Sequence, residues 1–442
     1  ELEARVLHPL PDDGRGRTVL DSEGDLLEVR QSVGSTNELL GRFTYNDQHL
    51  PLEAVDAAGQ TNSFGYNAYG QLTAVTNALG ETVSLAYDSD GYLTNITGAV
   101  TGAVTTFQYD SYGRVRTVID SEGYAVTTDY DLADRPLKVT YPDDTYEQIV
   151  YDRLDPVLSR DRRGHWSTQL YDALQRLTDV SDALGRVTHF EWCGCGGLES
   201  ITDPLQRTTT WLRDIQGRVT AKIYPDDTQW TYAYETNSSR LRQVTDPKNQ
   251  AKVYEYFLDN NLKEVVYTNA LEATPTVSFT YHTNYNRLLS LSDGTGLTQF
   301  SYYSVTNGQL GAGRLQSVDG PLTNDTVLYS YDALGRTKSR AVNGVSEVLS
   351  YDALGRVTGY TNVLGTFTNT YVGVTPRLDT VTYPNGQTTS FSYYGTNADH
   401  RVQTIWHETS GAATISKFDY TYDADGLIAS WTQQADSGTP TV

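Results

Sequence analysis

Along the whole chain, large apolar side chains fall two apart in short runs. The pairs Phe107/Tyr109, Phe190/Trp192, Tyr232/Tyr234, Tyr254/Tyr256, Phe279/Tyr281, Phe300/Tyr302, Tyr329/Tyr331, Phe391/Tyr393 and Tyr420/Tyr422 keep this spacing, which is the period of a strand with one buried face. The recurring cut after such a run is Asp-x-x-Gly, as in Asp110-Ser111-Tyr112-Gly113 or Asp423-Ala424-Asp425-Gly426. Asp closes an Asx-type turn and Gly supplies positive φ at its end, which predicts a tight hairpin connection with a bulge at the Gly. A second strand follows, then a second turn such as Asp120-Ser121-Glu122-Gly123 or Asp182-Ala183-Leu184-Gly185. The unit is two short strands and two turns. Helical periodicity is absent, and Thr, Val and Tyr dominate the regular segments, so helix content is expected to be close to nil.

The unit repeats. Tyr331-Asp332-Ala333-Leu334-Gly335-Arg336 returns as Tyr351-Asp352-Ala353-Leu354-Gly355-Arg356. Fainter copies open at Tyr45, Tyr66, Tyr87, Tyr109, Tyr130, Tyr151, Tyr171, Trp192, Tyr234, Tyr256, Tyr281, Tyr302, Tyr371, Tyr393 and Tyr422, mostly 20 to 22 residues apart. One copy has Arg213 in the aromatic's place before Asp214-Ile215-Gln216-Gly217-Arg218, and a degenerate one runs from Leu20 to Leu26. A lone hairpin of this size cannot bury its aromatic face, so neighbours must stack into one long antiparallel sheet. The prediction is an all-β fold and a single repeat array over residues 1–442, recognisable from about 20 to 430, with 431–442 as a tail. Where Gly is missing, Asp134, Asp155, Gln175 and Asn261 stand at the turn position, and inserts at 269–276, 306–313 and 408–413 read as loops lengthened on one rim.

Composition narrows the partners. The formal charge of −22 repels phosphate, which excludes nucleic acid as the natural partner and serves the solubility of a long sheet. No apolar run is long enough for a transmembrane helix. The first residue is Glu1 and no signal peptide opens the chain, which reads as a piece of a longer polypeptide or a processed form.

Both cysteines sit in one turn, Trp192-Cys193-Gly194-Cys195-Gly196-Gly197. Three states are open there: free thiols in a turn variant, a strained internal disulfide, or a soft metal held by Cys193 and Cys195 with His189 as third ligand. No second Cys pair completes a four-ligand zinc site. Asp follows the anchor at Asp88, Asp110, Asp131, Asp152, Asp172, Asp332, Asp352 and Asp423, and Asp and Arg recur together in pairs such as Asp332/Arg336 and Asp352/Arg356. Turn capping and pairing between repeats account for them better than catalysis, since repetition makes environments alike and acid–base chemistry needs them unlike. The histidines His8, His49, His165, His189, His282, His400 and His407 lack metal spacing, and no triad or phosphate-binding Gly loop is present. No cofactor is expected.

The phrase Tyr-Asp-x-x-Gly-Arg at this period resembles the RHS or YD repeat of bacterial Rhs polymorphic toxins, wall-associated proteins, the C component of ABC toxins, and teneurins. The resemblance covers roughly residues 20 to 430. It implies a β-sheet spiralling into a curved shell or part of a hollow cage, which in toxin members encloses a C-terminal effector. Such shells end in Asp-Pro-x-Gly motifs that cut the effector free. Here Asp155-Pro156, Asp203-Pro204 and Asp246-Pro247 lie inside repeats and none continues in that way, so self-cleavage is not carried over. The leading expectation is a non-enzymatic structural segment of a secreted or surface protein that encloses or displays another polypeptide, its partner an effector or flanking domains of the same chain. The alternative is an adhesive module binding glycans or a partner protein through exposed aromatics.

Overall fold

A computed structural model describes residues 16–436 and 438–441; His8 lies outside them. The described residues form 38 strands and one short 3-10 turn at Thr396–Ala398. They divide into two compact units, one built from the residues up to Thr127, Tyr281–Ser290 and Leu297 onward, the other from Thr128–Thr280 and Leu291–Gly296.

In the first unit, strands Val327–Tyr331, Thr337–Val342, Val345–Tyr351, Val357–Asn362 and Gly365–Tyr371 pair each with the next, all antiparallel. In the second, Trp166–Tyr171, Leu177–Ser181, Val187–Trp192, Leu198–Thr202 and Thr208–Arg213 do the same. The all-β antiparallel fold of two-stranded repeats is therefore as the periodicity predicts. Short connections make each strand pair with its sequence neighbour, the cheapest closure available to the chain.

Most anchor hairpins carry the same irregularity. Ser330 pairs with Ser339 but Tyr331 with Thr337, so Lys338 is the extra residue. The step recurs between Leu170 and Tyr171 and between Glu191 and Trp192. It comes in addition to the expected bulge at Gly. The turn amide of Gly335 donates to the Asp332 carbonyl at 3.0 Å and the Asp332 amide to the Arg336 carbonyl at 2.9 Å, a type I turn ended by a left-handed residue.

Burial alternates as a one-faced strand requires: Gln108, Glu191, Glu255, Ser301 and Ser350, each just before an anchor, are exposed while the anchors are half-buried. Deeply buried apolar side chains among the described residues are few, namely Phe43, Ala54, Ala58, Ala221, Ala251, Val265 and Val305. Stabilisation is spread as one half-buried ring per repeat, each worth at most about 2–3 kcal/mol of transfer free energy.

Two local expectations are corrected. The left-handed residues that replace Gly are Asp134 and Gln175 as expected, but Arg153 and Asn260 instead of Asp155 and Asn261. After Tyr151 the hairpin closes early, with Asp152 opposite Asp155, so the Asp155-Pro156 pair opens the next strand instead of a turn. After Tyr256, Phe257 takes the Asp place, since its amide donates to the Asn261 carbonyl and accepts Asn260 into the turn through its own carbonyl. The inserts also do not share one rim. The connection between Tyr302 and Leu315 follows an anchor, whereas 269–276 and 409–413 precede the next anchor strand. The long spacing from Tyr393 to Tyr422 arises from the turn at 394–401 and from the long strands Val402–Glu408 and Thr414–Tyr422.

Candidate functional site

Among the described residues the repeat turn is a polar arrangement that recurs from copy to copy. Asp332 Oδ1 accepts from the amides of Leu334 and Arg336, both at 2.9 Å, and Oδ2 accepts from Arg336 Nε at 2.7 Å. Asp352 repeats this with Leu354 and Arg356. The Asp–Arg pair therefore lies within one turn, not between repeats. What joins repeats is the other face of the same guanidinium: Arg336 lies over the Tyr351 ring at 4.3 Å and Arg356 over Tyr371 at 4.5 Å. Tyr351 then donates its hydroxyl to the carbonyl of Thr337 at 2.8 Å, and Tyr331 to that of Leu315. Thr337 and Leu315 each directly follow the stacking Arg and adjoin the register step, where the ladder leaves an acceptor over. Burial raises the Tyr331 and Tyr351 phenols above their ordinary pKa.

The variants obey the same requirement. Trp192 Nε1 donates to the Leu177 carbonyl at 2.7 Å. Arg213 Nη2 reaches the Leu198 carbonyl at 3.2 Å while Nη1 holds the Gly217 carbonyl at 2.9 Å. Tyr, Trp and Arg share a donor at the tip of a long flat side chain, and that donor explains why Arg can stand in an aromatic's place.

In the turn at Trp192, Cys193 and Cys195 are joined by a disulfide, Cα to Cα 5.2 Å. The turn itself is ordinary, with the Cys193 amide on the Gly197 carbonyl and Gly196 left-handed. His189 Nδ1 stands 2.7 Å from Asp179 Oδ1. A metal held by Cys193, Cys195 and His189 would need reduction of the disulfide, and with Nδ1 on Asp179 the imidazole would offer Nε2.

Within the first unit, early and late repeats meet through polar side chains. Glu122 pairs with Arg377, and the Tyr124 hydroxyl donates to Asp399 Oδ1 at 2.7 Å. Tyr124 packs on the His400 ring at 5.7 Å, and Arg401 pairs with Asp399 at 2.5 Å. These groups border a cavity of about 560 Å³. Other repeats of this unit are joined by a second set: fully buried Gln31 donates to the Asn284 carbonyl, and Tyr285 donates to Glu38. Burial first, then that carboxylate, raises the Tyr285 phenol's pKa, and burial lowers that of Arg287. No local sequence signal marks these residues, because their partners lie more than 240 positions away. In the second unit an open hollow of about 780 Å³ is lined by Leu137, Ile149, Trp166, Arg160 and Arg186 among others.

The Teneurin YD-shell family model matches residues 103–320 and the RHS Repeat model residues 66–102. No curated protein matches the chain. Among solved structures, TcdB2-TccC3 without its hypervariable C-terminal region is similar over 96% of this chain at 14% identity with a TM-score of 0.64. The Tc holotoxin pore of Photorhabdus luminescens is similar over 93% at 15% identity with a TM-score of 0.62. The chain spans 31% and 22% of the lengths of those two chains. At such identity the likeness is one of fold. The two family matches adjoin and together run from residue 66 to 320, more than half of the 442 residues. The chain belongs to the RHS/YD-repeat family.

Proposed function

We propose that this chain is a non-enzymatic wall segment of a secreted or surface protein, and that the wall encloses or displays another polypeptide, such as a toxin carried C-terminally in the same product. One observation carries the reading: where the repeat phrase is complete its charged and aromatic residues are spent on the wall itself, Asp332 on its turn and Arg336, Arg336 on the Tyr351 ring, and Tyr351 on the Thr337 carbonyl. A lattice that satisfies its own polar groups needs no ligand to complete it and tolerates variation between anchors. TcdB2-TccC3, whose fold this chain shares, supports the same direction. The test is limited proteolysis of the complete gene product. A segment outside residues 1–442 that stays intact under native conditions, and is cut once the repeats are unfolded, is the expected result. Equal cutting under both conditions overturns enclosure.

The adhesive reading has its own observation, the exposure of Tyr69 (90%) and Tyr112 (69%) on anchor turns. Saturable binding of the isolated chain on a glycan array, lost in a Tyr69→Ser/Tyr112→Ser variant, would favour it.

A further inference from the structure

His400 sits in the first unit's polar junction with its side chain only 15% exposed, and its Nε2 is fully buried with no hydrogen-bond partner. A buried imidazole nitrogen without a partner forfeits the free energy of a lost hydrogen bond unless something else binds it. Facing it are two carboxylates from the turn at Asp120. Glu122 Oε2 is 3.9 Å from Nε2, and one ligand atom each from Asp120, Glu122 and His400 lie within 4.8 Å of one another. Asp120 spends Oδ1 on the amides of Glu122 and Tyr124 at 2.9 and 2.8 Å, which leaves Oδ2 for another partner.

The molecule contains its own contrast. Asp21-Ser22-Glu23-Gly24 repeats the Asp-Ser-Glu-Gly turn, and a histidine, His49, also stands over it. There His49 Nδ1 is hydrogen-bonded to Asp25 at 3.0 Å. At the second turn Tyr124 occupies the place of Asp25 and its hydroxyl is turned to Asp399, so His400 has lost the acceptor that satisfies His49.

We propose that Asp120, Glu122 and His400 bind a divalent transition-metal ion of the zinc class. Imidazole with two carboxylates is a borderline-to-hard donor set that suits Zn²⁺ and leaves a fourth position for water. Ligands about 2.1 Å from a tetrahedral ion stand about 3.4 Å apart, so the two carboxylates close in by side-chain rotation, which their exposure permits. Glu122 Oε2, the oxygen 3.9 Å from Nε2, also accepts from Arg377 Nη2, so the ion would share that carboxylate with a guanidinium. The ion would tie the turn at Asp120–Tyr124 to the loop at 394–401, residues some 280 positions apart, and stabilise that junction by mass action.

The experiment titrates ZnCl₂ into the chelator-stripped chain with Cys193–Cys195 oxidised, followed by calorimetry and thermal melting. One equivalent bound with a raised melting temperature is expected. Glu122→Gln and His400→Gln should each weaken affinity about tenfold or more, and Asp120→Asn, which keeps the Oδ1 turn cap, should weaken it in a chain whose fold is unaltered. Tyr124→Phe, which cuts the bond to Asp399 without removing a ligand, should leave affinity within about threefold. No binding by the wild-type chain, equal affinity in His400→Gln, or displacement of zinc by Ca²⁺ in hundredfold excess would overturn the site. Loss of binding in a Cys193→Ser/Cys195→Ser variant would move it to the other turn and overturn it equally.

Discussion

Gly335 and Gly355 adopt φ of 71° and 78°, a region that costs an ordinary L residue roughly 1–2 kcal/mol. Their surroundings differ. A Cβ on Gly335 would lie 2.3 Å from Arg314 Nη2, whereas on Gly355 its nearest neighbour is Arg336 Nη1 at 3.8 Å. Arg314 is the guanidinium stacked on Tyr331 at 5.6 Å, so Gly335→Ala should also displace that stack. Hydrogen exchange in strands Val327–Tyr331 and Thr337–Val342 should accelerate more for Gly335→Ala than exchange around Gly355 does for its counterpart. Asp332→Asn should do less than either, since Asn keeps the acceptor for two amides and loses only a partly exposed ion pair worth about 0.5 kcal/mol. Equal effects would mean that the Asp–Arg pair, not the backbone, holds the turn. The turn chemistry was legible because Asp and Gly act on their own backbone. The stacking of Arg on the next ring was not, because it depends on which strands become neighbours.

At the scale of the hairpin, the anchor is defined by a donor as much as by a ring. Tyr351→Phe keeps the ring under Arg336 and strips the hydroxyl from the Thr337 carbonyl, which should cost about 1 kcal/mol. Arg213→Tyr should be neutral or stabilising because it restores the same donor with more apolar area, whereas Arg213→Leu should destabilise by about 1–2 kcal/mol by leaving the Leu198 and Gly217 carbonyls unserved. Exchange protection of strands Thr208–Arg213 and Val219–Ile223 is the measurement; a Leu variant as protected as the Tyr variant would reduce the anchor to a space-filler. The copy at Arg213 is visible in the sequence only through Asp214 and Gly217. Its reason appears once the register places Leu198 beside it. The early closure after Tyr151 escaped for a related cause: Asp155 fits the turn position by counting, but a two-residue turn at Arg153 brings Asp152 and Asp155 into a pair that counting does not reveal.

For the molecule as a whole, two electrostatic effects oppose each other as pH falls. The net charge of −22 strains the folded chain by self-repulsion, and protonating acids without partners relieves it. The turn acids work the other way. In Asp110, Asp131, Asp172, Asp182, Asp203 and Asp214 the hydrogen bond from the Arg four residues on, followed by backbone amides, holds the carboxyl below its ordinary pKa. A carboxyl whose pKa is lower folded than unfolded contributes stability that is present above the unfolded value, near 4, and is lost as pH drops through the folded value. Each of these turns is solvent-open, so each single contribution is small and salt-screened; their number is what counts in an array where every repeat leans on its neighbours. Stability should therefore stay level or rise slightly from pH 7 to about 5, then fall steeply below about 4 as the paired acids protonate together. Raising ionic strength should flatten the first part, where long-range repulsion acts, more than the second, where hydrogen-bonded pairs act at contact. Melting temperature measured across that range at two salt concentrations separates the effects, and a steady rise in stability down to pH 3 would show that the Asp–Arg turns contribute nothing to holding the sheet.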